Sequence, residues 1–289
     1  MTRMTRPRVA VVGVGAMGMG VAGALLAKGF TVCVRDIVEA REAEAIGAGA
    51  RRLDSPVDVL VSLVVDAAQT RVVAKQYRPF APLFMMCSTI APGDAEQIAA
   101  DLARDGVEML DAPISGGPAR AHAGTLSMMA SGSAPAFERG AAVIDAMAAK
   151  CFRMGAKAGD GSRMKVVNNM LAASNIAAGC EAMAMAAKLR IDLAQAADVI
   201  NASSGASWMF ADRMARALVG DYAPTAASRV LLKDIGLFVD LARSFGLAAP
   251  MAEQAREVFL DTAARGYAEE DDAAVLKRYA DLWHVDVPR

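Results

Sequence analysis

The chain has 289 residues, 55% hydrophobic but only 5% aromatic, with a formal net charge of −1. That length carries one large core or two ordinary ones, and two domains is the expected arrangement. The near-neutral charge argues against a nucleic-acid surface. Two histidines and four scattered cysteines (Cys33, Cys87, Cys151, Cys180) argue against a metal site and predict reduced thiols in a cytoplasmic protein.

From Val9 to Ala27 nineteen residues carry no charge, and Arg3, Arg6 and Arg8 precede them. A membrane span or a signal peptide gives a similar pattern. Five glycines (Gly13, Gly15, Gly18, Gly20, Gly23) interrupt the run, however, and three of them have a better explanation. Arg8 to Val12 predicts a short buried strand, and Gly13-Val14-Gly15-Ala16-Met17-Gly18 forms a G-x-G-x-x-G turn that opens a helix. In a dinucleotide site Gly13 permits the turn, Gly15 lets the main chain approach a pyrophosphate, and Gly18 lets helix and strand pack closely. The N–H groups at the helix start, around Ala16 and Met17, then face the phosphates. A second strand, Thr31 to Val34, leads to Asp36, eighteen residues beyond Gly18. A carboxylate there accepts hydrogen bonds from the adenine ribose and repels a 2′-phosphate, so NAD is the expected cofactor. Arg35, next door, keeps NADP as the second candidate. The bland alternative is a βα turn with no ligand.

Further strands are expected in "DVLVSLVVD" (58–66), "LFMMCSTI" (83–90), "VEMLDAP" (107–113) and "TLSMMASG" (125–132), with helical patterns between them, including Pro92 to Arg104. The alternation predicts an α/β Rossmann-type domain over residues 1–160. Within it, the N–H groups of Ser115, Gly116 and Gly117 in "DAPISGG" can form a concave anion site for a carboxylate, the alternative being an ordinary Ser-Gly turn. His122 reads as a loop residue.

After the glycine-rich "GAKAGDGSRMK" nearly everything is helix-forming: one long helix over Met164 to Lys188, then patterns near 192–202, 208–219, 228–246, 249–265 and 271–281. Residues 161–289 are expected to form an all-α domain, joined to the first by the long helix. On that helix Lys165 and Asn169 stand four apart and share a face. Either Lys165 lays its stem along apolar surface with its head in water, or its ammonium and the Asn169 amide serve a common ligand. Trp208 and Phe210 read as core or dimer packing, Lys233-Asp234 as a candidate surface ion pair, and Glu269 to Asp272 as a solvated helix start.

Four ordered segments, "VGVGAMGMGVAGALLAKG", "DAPISGGPARAHAGTLSMMASG", "GDGSRMKVVNNM" and "LLKDIGLFVDLA", resemble the β-hydroxyacid dehydrogenase family and span almost the whole chain. Within that family "SSGASWMFADRM", "GDYAPTAA" and "GYAEEDDAAVLK" resemble the L-threonate dehydrogenase branch. The resemblance implies an NAD-dependent oxidoreductase acting on a small hydroxy acid, first L-threonate or a similar sugar acid. Within the family, 3-hydroxyisobutyrate and tartronate semialdehyde are the alternatives. It makes Lys165 the catalytic lysine and Asn169 the amide orienting substrate. Ser115, Gly116 and Gly117 become the carboxylate turn, and Thr89 and Lys233 become cofactor contacts. The chain departs from the family at Val64-Val65, where Leu-Pro is frequent, and at Ala206, where many relatives carry Asn or Arg. Burial disfavours the charged form of a lysine, and enzymes use this to bring lysine to a pKa of about 7–8 for proton transfer. A non-catalytic nucleotide-binding reader and an imine reductase are the competing classes; Lys165 argues against both. The expected partner is a small-molecule hydroxy acid, with neither nucleic acid nor membrane. A short Ala- and Met-rich helical half predicts a homodimer or homotetramer.

Overall fold

Val9, Ala10 and Val11 are fully buried in a strand, β1 (Arg8–Val12), and a sheet grows from it in both directions. The computed structural model describes residues 6–289; Arg3 and the rest of the first five residues lie outside the described residues. The chain forms two units, Met1–Lys165 and Val166–Arg289.

In the first unit β1 is followed by α1 (Ala16–Ala27), β2 (Thr31–Arg35), α2 (Glu39–Gly47), β3 (Arg51–Arg52), β4 (Val59–Ser62), α3 (Ala67–Tyr77), β5 (Leu83–Met86), α4 (Pro92–Arg104) and β6 (Glu108–Asp111). β2 and β4 pair with opposite edges of β1, both parallel to it. The chain therefore reverses its direction of travel across the sheet between β1 and β4, the arrangement that opens a ligand crevice at the carboxyl ends of the strands. Burial of β4 and β5 on both faces explains their unbroken apolar runs.

Beyond β6 the sheet departs from the parallel series. β7 (Ile114–Ser115), α5 (Gly117–Ala123), β8 (Leu126–Ser131), α6 (Ala134–Met147) and β9 (Ala148–Gly155) complete the unit. β8 runs antiparallel to both β6 and β7, and β9 parallel to β8. Strands β3 and β7 have two residues each and give no periodic signal, while β9 is mostly exposed and lacks an apolar face. His122 lies in α5, not in a loop; its Nδ1 is 3.6 Å from where a Gly23 Cβ would stand.

The helix α7 (Asp160–Lys188) begins earlier than its apolar pattern and contains the division between the two units. It is the one described helix long and apolar enough to cross a membrane by length and composition. Its Ile176, Cys180 and Met183 are instead buried in the second unit's core with Phe210, Ile235 and Phe259. Around it lie α8 (Leu193–Asn201), α9 (Trp208–Ala217), α10 (Ser228–Ser244), α11 (Pro250–Thr262) and α12 (Val275–Trp283). Phe210 fills the space over Gly179, where a Cβ would meet its ring at 2.7 Å, while Trp208 is 45% exposed. All four cysteines are free thiols.

The acidic run 269–272 corrects the solvated reading in half its length. Asp271 and Asp272 are each 1% exposed. Arg213 donates from Nε to Asp272 Oδ1 at 2.5 Å and from Nη2 to Oδ2 at 3.2 Å. Arg216 and Thr225 donate to Asp271 Oδ2 at 3.1 and 2.7 Å. Asp271 also accepts the N–H of Ala273 and so starts the short turn Asp272–Ala274. The buried half of the run is the half paired with Arg213 and Arg216.

Candidate active site

The glycine turn after β1 is tight where the fold needs it and open where a ligand would lie. Gly13 has φ +90°, and a Cβ on it would stand 2.7 Å from the Leu63 carbonyl oxygen. At Gly18 a Cβ would fall 1.9 Å from the Gly13 carbonyl oxygen, so the first turn of α1 packs directly on the end of β1. At Gly15 nothing lies nearer than Arg41 Nη1, at 3.9 Å. Helix α1 starts with no side-chain cap and no acidic residue in its first turn. The N–H groups of Ala16, Met17 and Gly18 therefore have the helix-end arrangement that suits a phosphate, and this cradle fits a dinucleotide.

Asp36 closes β2 beside that turn: its Oδ2 accepts the Val14 N–H at 2.7 Å and its Oδ1 the Val38 N–H at 2.8 Å. Val64 and Val65 follow β4. Val64 Cγ1 would be 3.1 Å from a Gly13 Cβ, and Val65 is 38% exposed. Thr89 is half-buried just beyond β5. Gly13, Asp36, Val64 and Thr89 thus all follow the carboxyl ends of parallel strands.

Lys165 is buried, and its Nζ donates to the Ile114 carbonyl oxygen at 2.7 Å. Ile114 immediately precedes Ser115, Gly116 and Gly117, where φ values of +134° and +73° at the two glycines reserve the turn for residues without a Cβ. The amine and the expected carboxylate turn are therefore neighbours within the first unit. The start of α7 is held by Asp111, at the end of β6. Asp111 Oδ2 accepts the N–H groups of Gly159 and Ser162 at 2.8 and 2.9 Å and the Ser131 hydroxyl at 3.3 Å; Oδ1 accepts the Ser162 hydroxyl at 2.7 Å. A carboxylate at a helix start answers donors that the helix cannot pair itself. Burial nevertheless pushes the Asp111 carboxyl above its usual range, with the Ser162 and Gly159 hydrogen bonds pulling the other way.

In the helical unit, Asn169 is one turn along α7 from Lys165 and equally buried. Its Nδ2 donates to Asp234 Oδ2 at 2.7 Å. Lys233 Nζ pairs with Asp234 Oδ1 at 2.5 Å, so one carboxylate anchors both expected residues. Asp234 is 4% exposed, which removes the surface-ion-pair reading. Sequence reasoning missed Asp111 and Asp234 as organisers. The available signals were an acid closing a buried strand and an acid beside a lysine in a largely apolar helix.

Residues 8–155 match the pattern of the NAD binding domain of 6-phosphogluconate dehydrogenase, and residues 159–279 that of the NAD-binding domain of NADP-dependent 3-hydroxyisobutyrate dehydrogenase. The L-threonate dehydrogenase of Escherichia coli K12 is 40% identical over 95% of both chains. The chain belongs to the β-hydroxyacid dehydrogenase family. The L-threonate dehydrogenase of Cupriavidus necator is 41% identical over 95% of this chain and 96% of its own. A solved 3-hydroxyisobutyrate dehydrogenase from Salmonella typhimurium superposes with a TM-score of 0.89 at 39% identity, covering 93% of this chain and 99% of that one. As a member of the β-hydroxyacid dehydrogenases, the protein is an NAD-dependent oxidoreductase acting on the CH–OH group of a hydroxy acid.

Proposed function

We propose that this dehydrogenase acts on L-threonate or a closely similar sugar acid, with Lys165 as general acid and base. The observation that carries the assignment of Lys165 is its buried amine, hydrogen-bonded to Ile114 beside the Ser115-Gly116-Gly117 turn. The nicotinamide, when bound, takes or returns the hydride. In oxidation the neutral Lys165 amine accepts the proton of the substrate hydroxyl; in reduction the ammonium gives it back. The hydrogen bond to the Ile114 carbonyl holds Nζ beside that turn. The N–H groups of Ser115, Gly116 and Gly117 anchor the carboxylate, and Asn169 orients the substrate. Gly13, whose own N–H is donated to the Arg35 carbonyl oxygen, shapes the turn; the main chain from Gly15 through Ala16 and Met17 to Gly18 holds the pyrophosphate, and Asp36 holds the adenine ribose. Val64, Val65, Thr89 and Lys233 complete the cofactor contacts.

The substrate assignment is supported by the two L-threonate dehydrogenases at 40% and 41% identity. A second reading, 3-hydroxyisobutyrate, is favoured by the name of the Salmonella typhimurium structure. Steady-state rates with the two acids separate them. A site built to hydrogen-bond substrate hydroxyls rejects an analogue lacking them by about 10⁴–10⁵-fold. L-threonate is expected to win in kcat/KM, and a clear preference for the methylated acid overturns the reading. The proposal includes a homodimer or homotetramer, checked by light scattering, and a cytoplasmic location, consistent with four free thiols.

A further inference from the structure

The ends of the neighbouring strands β2 and β3 place two cations, Arg35 and Arg52, within reach of one buried acid. Glu42, on α2, is 5% exposed. Its Oε1 and Oε2 both accept Arg35 Nη1 at 3.0 Å, its Oε1 also pairs with Arg52 Nε at 2.9 Å, and its Oε2 accepts the Asp36 N–H at 3.1 Å. Arg35 and Arg52 keep side-chain exposures of 36% and 62%, so both guanidiniums reach solvent although their charge is answered from below. A hydrogen bond to Tyr77 and the Glu42 charge hold the Arg35 guanidinium firmly protonated despite its partial desolvation. In this fold an arginine near the ribose carboxylate is what accommodates a 2′-phosphate.

We infer that Glu42 is a positioning residue for cofactor choice: by holding Arg35 and Arg52 it denies a 2′-phosphate its counter-charge and biases the enzyme toward NAD. The ribose is read by Asp36, and Glu42 decides whether the neighbouring arginines can answer an extra phosphate. With Glu42 ionised, the set Arg35, Arg52, Glu42 and Asp36 sums to zero charge. Loss of the Glu42 charge leaves it at +1, with two guanidiniums released at the protein surface. Arg41, next to Glu42 in sequence, extends toward Gly15 instead and lies outside this cluster. The inference rests on the reading of Asp36 as the ribose ligand.

The test is equilibrium binding of NADH and NADPH, without substrate, followed by cofactor fluorescence. Glu42→Gln keeps the side-chain shape and removes its charge, and is expected to shift the ratio of the two Kd values about tenfold toward NADPH, the scale of one charge-assisted hydrogen bond. Adding Arg35→Gln and Arg52→Gln to that variant is expected to abolish the gain. A ratio that stays within about twofold of native overturns the assignment, as does a gain that survives loss of both arginines. Should Glu42→Gln fail to fold, Arg35→Gln in the native background decides: sequestration predicts an unchanged ratio, and a selective loss of NADPH binding overturns it. A native protein that binds neither dinucleotide brings down the cofactor reading itself, and this inference with it. If the native protein binds NADH and only the variant ratio fails to move, the inference alone falls.

Discussion

The first unit and the helical unit use polar groups in opposite ways. In the first unit the groups of the candidate site are largely main chain: the N–H groups opening α1, the Ile114 carbonyl that holds Lys165, and a turn with two positive-φ glycines. In the helical unit the polar groups are side chains gathered on buried carboxylates, with Arg213 on Asp272, the half-buried Arg216 on Asp271, and Asn169 and the half-buried Lys233 on Asp234. A main-chain site is placed by the fold that makes it and needs few side chains to persist. A paired-charge network depends on every member, because removing one leaves another buried without its counter-charge. The two units should therefore fail differently when single residues are changed.

Lys165→Ala gives the largest expected effect, a fall in kcat of about 10²–10⁴-fold with NADH binding and thermal stability close to native. An equal loss of stability would break the contrast between the units. Arg213→Met comes next. It leaves the buried Asp272 without its counter-charge and should cost about 3–5 kcal/mol in urea unfolding, with NADH binding measurable below the transition. Asp111→Asn tests a buried side chain working for the main-chain unit. Replacing an acceptor-only group with an amide at the start of α7 is expected to cost about 1–3 kcal/mol and to lower kcat more than it weakens NADH binding. The smallest effect is a pH slope. Burial pushes Asp272 up to about 6 from 3.8, against the pull of Arg213. Between those values the native protein keeps a proton that the unfolded chain has released, so this group's contribution to stability is greatest at the acid end and declines as pH rises through the interval. Asp272→Asn should flatten that part of the stability–pH profile in thermal melts.

The sequence was readable where structure is local. Gly13, Gly15, Gly18 and Asp36 report their own backbone requirements and spacing, and the buried strands announce themselves as apolar runs. The long helix was visible from its composition, and Lys165 and Asn169 from their spacing on it. What escaped was partnership over distance. Asp111 meets Ser162 across 51 positions, Asn169 meets Asp234 across 65, and Arg213 meets Asp272 across 59. An acidic residue in a charged run looks the same whether it is hydrated, as the exposed Glu269 is, or buried against an arginine, as Asp272 is. The reversed strand directions beyond β6 escaped for the same reason, since pairing direction leaves no mark in a two-residue strand such as β7.

The two glycines that frame the turn separate what folding demands from what the ligand demands. Gly15 has φ −66° and open space where a methyl would go. Gly18 has a carbonyl oxygen 1.9 Å from that point. A library randomised at both positions and sorted only for soluble expression should retain alanine and serine at 15 while returning glycine at 18. Sorting the survivors on an immobilised nicotinamide dinucleotide should then purge the substitutions at 15. The first enrichment maps a demand of the backbone, and the second maps the footprint of a molecule that the polypeptide alone does not need.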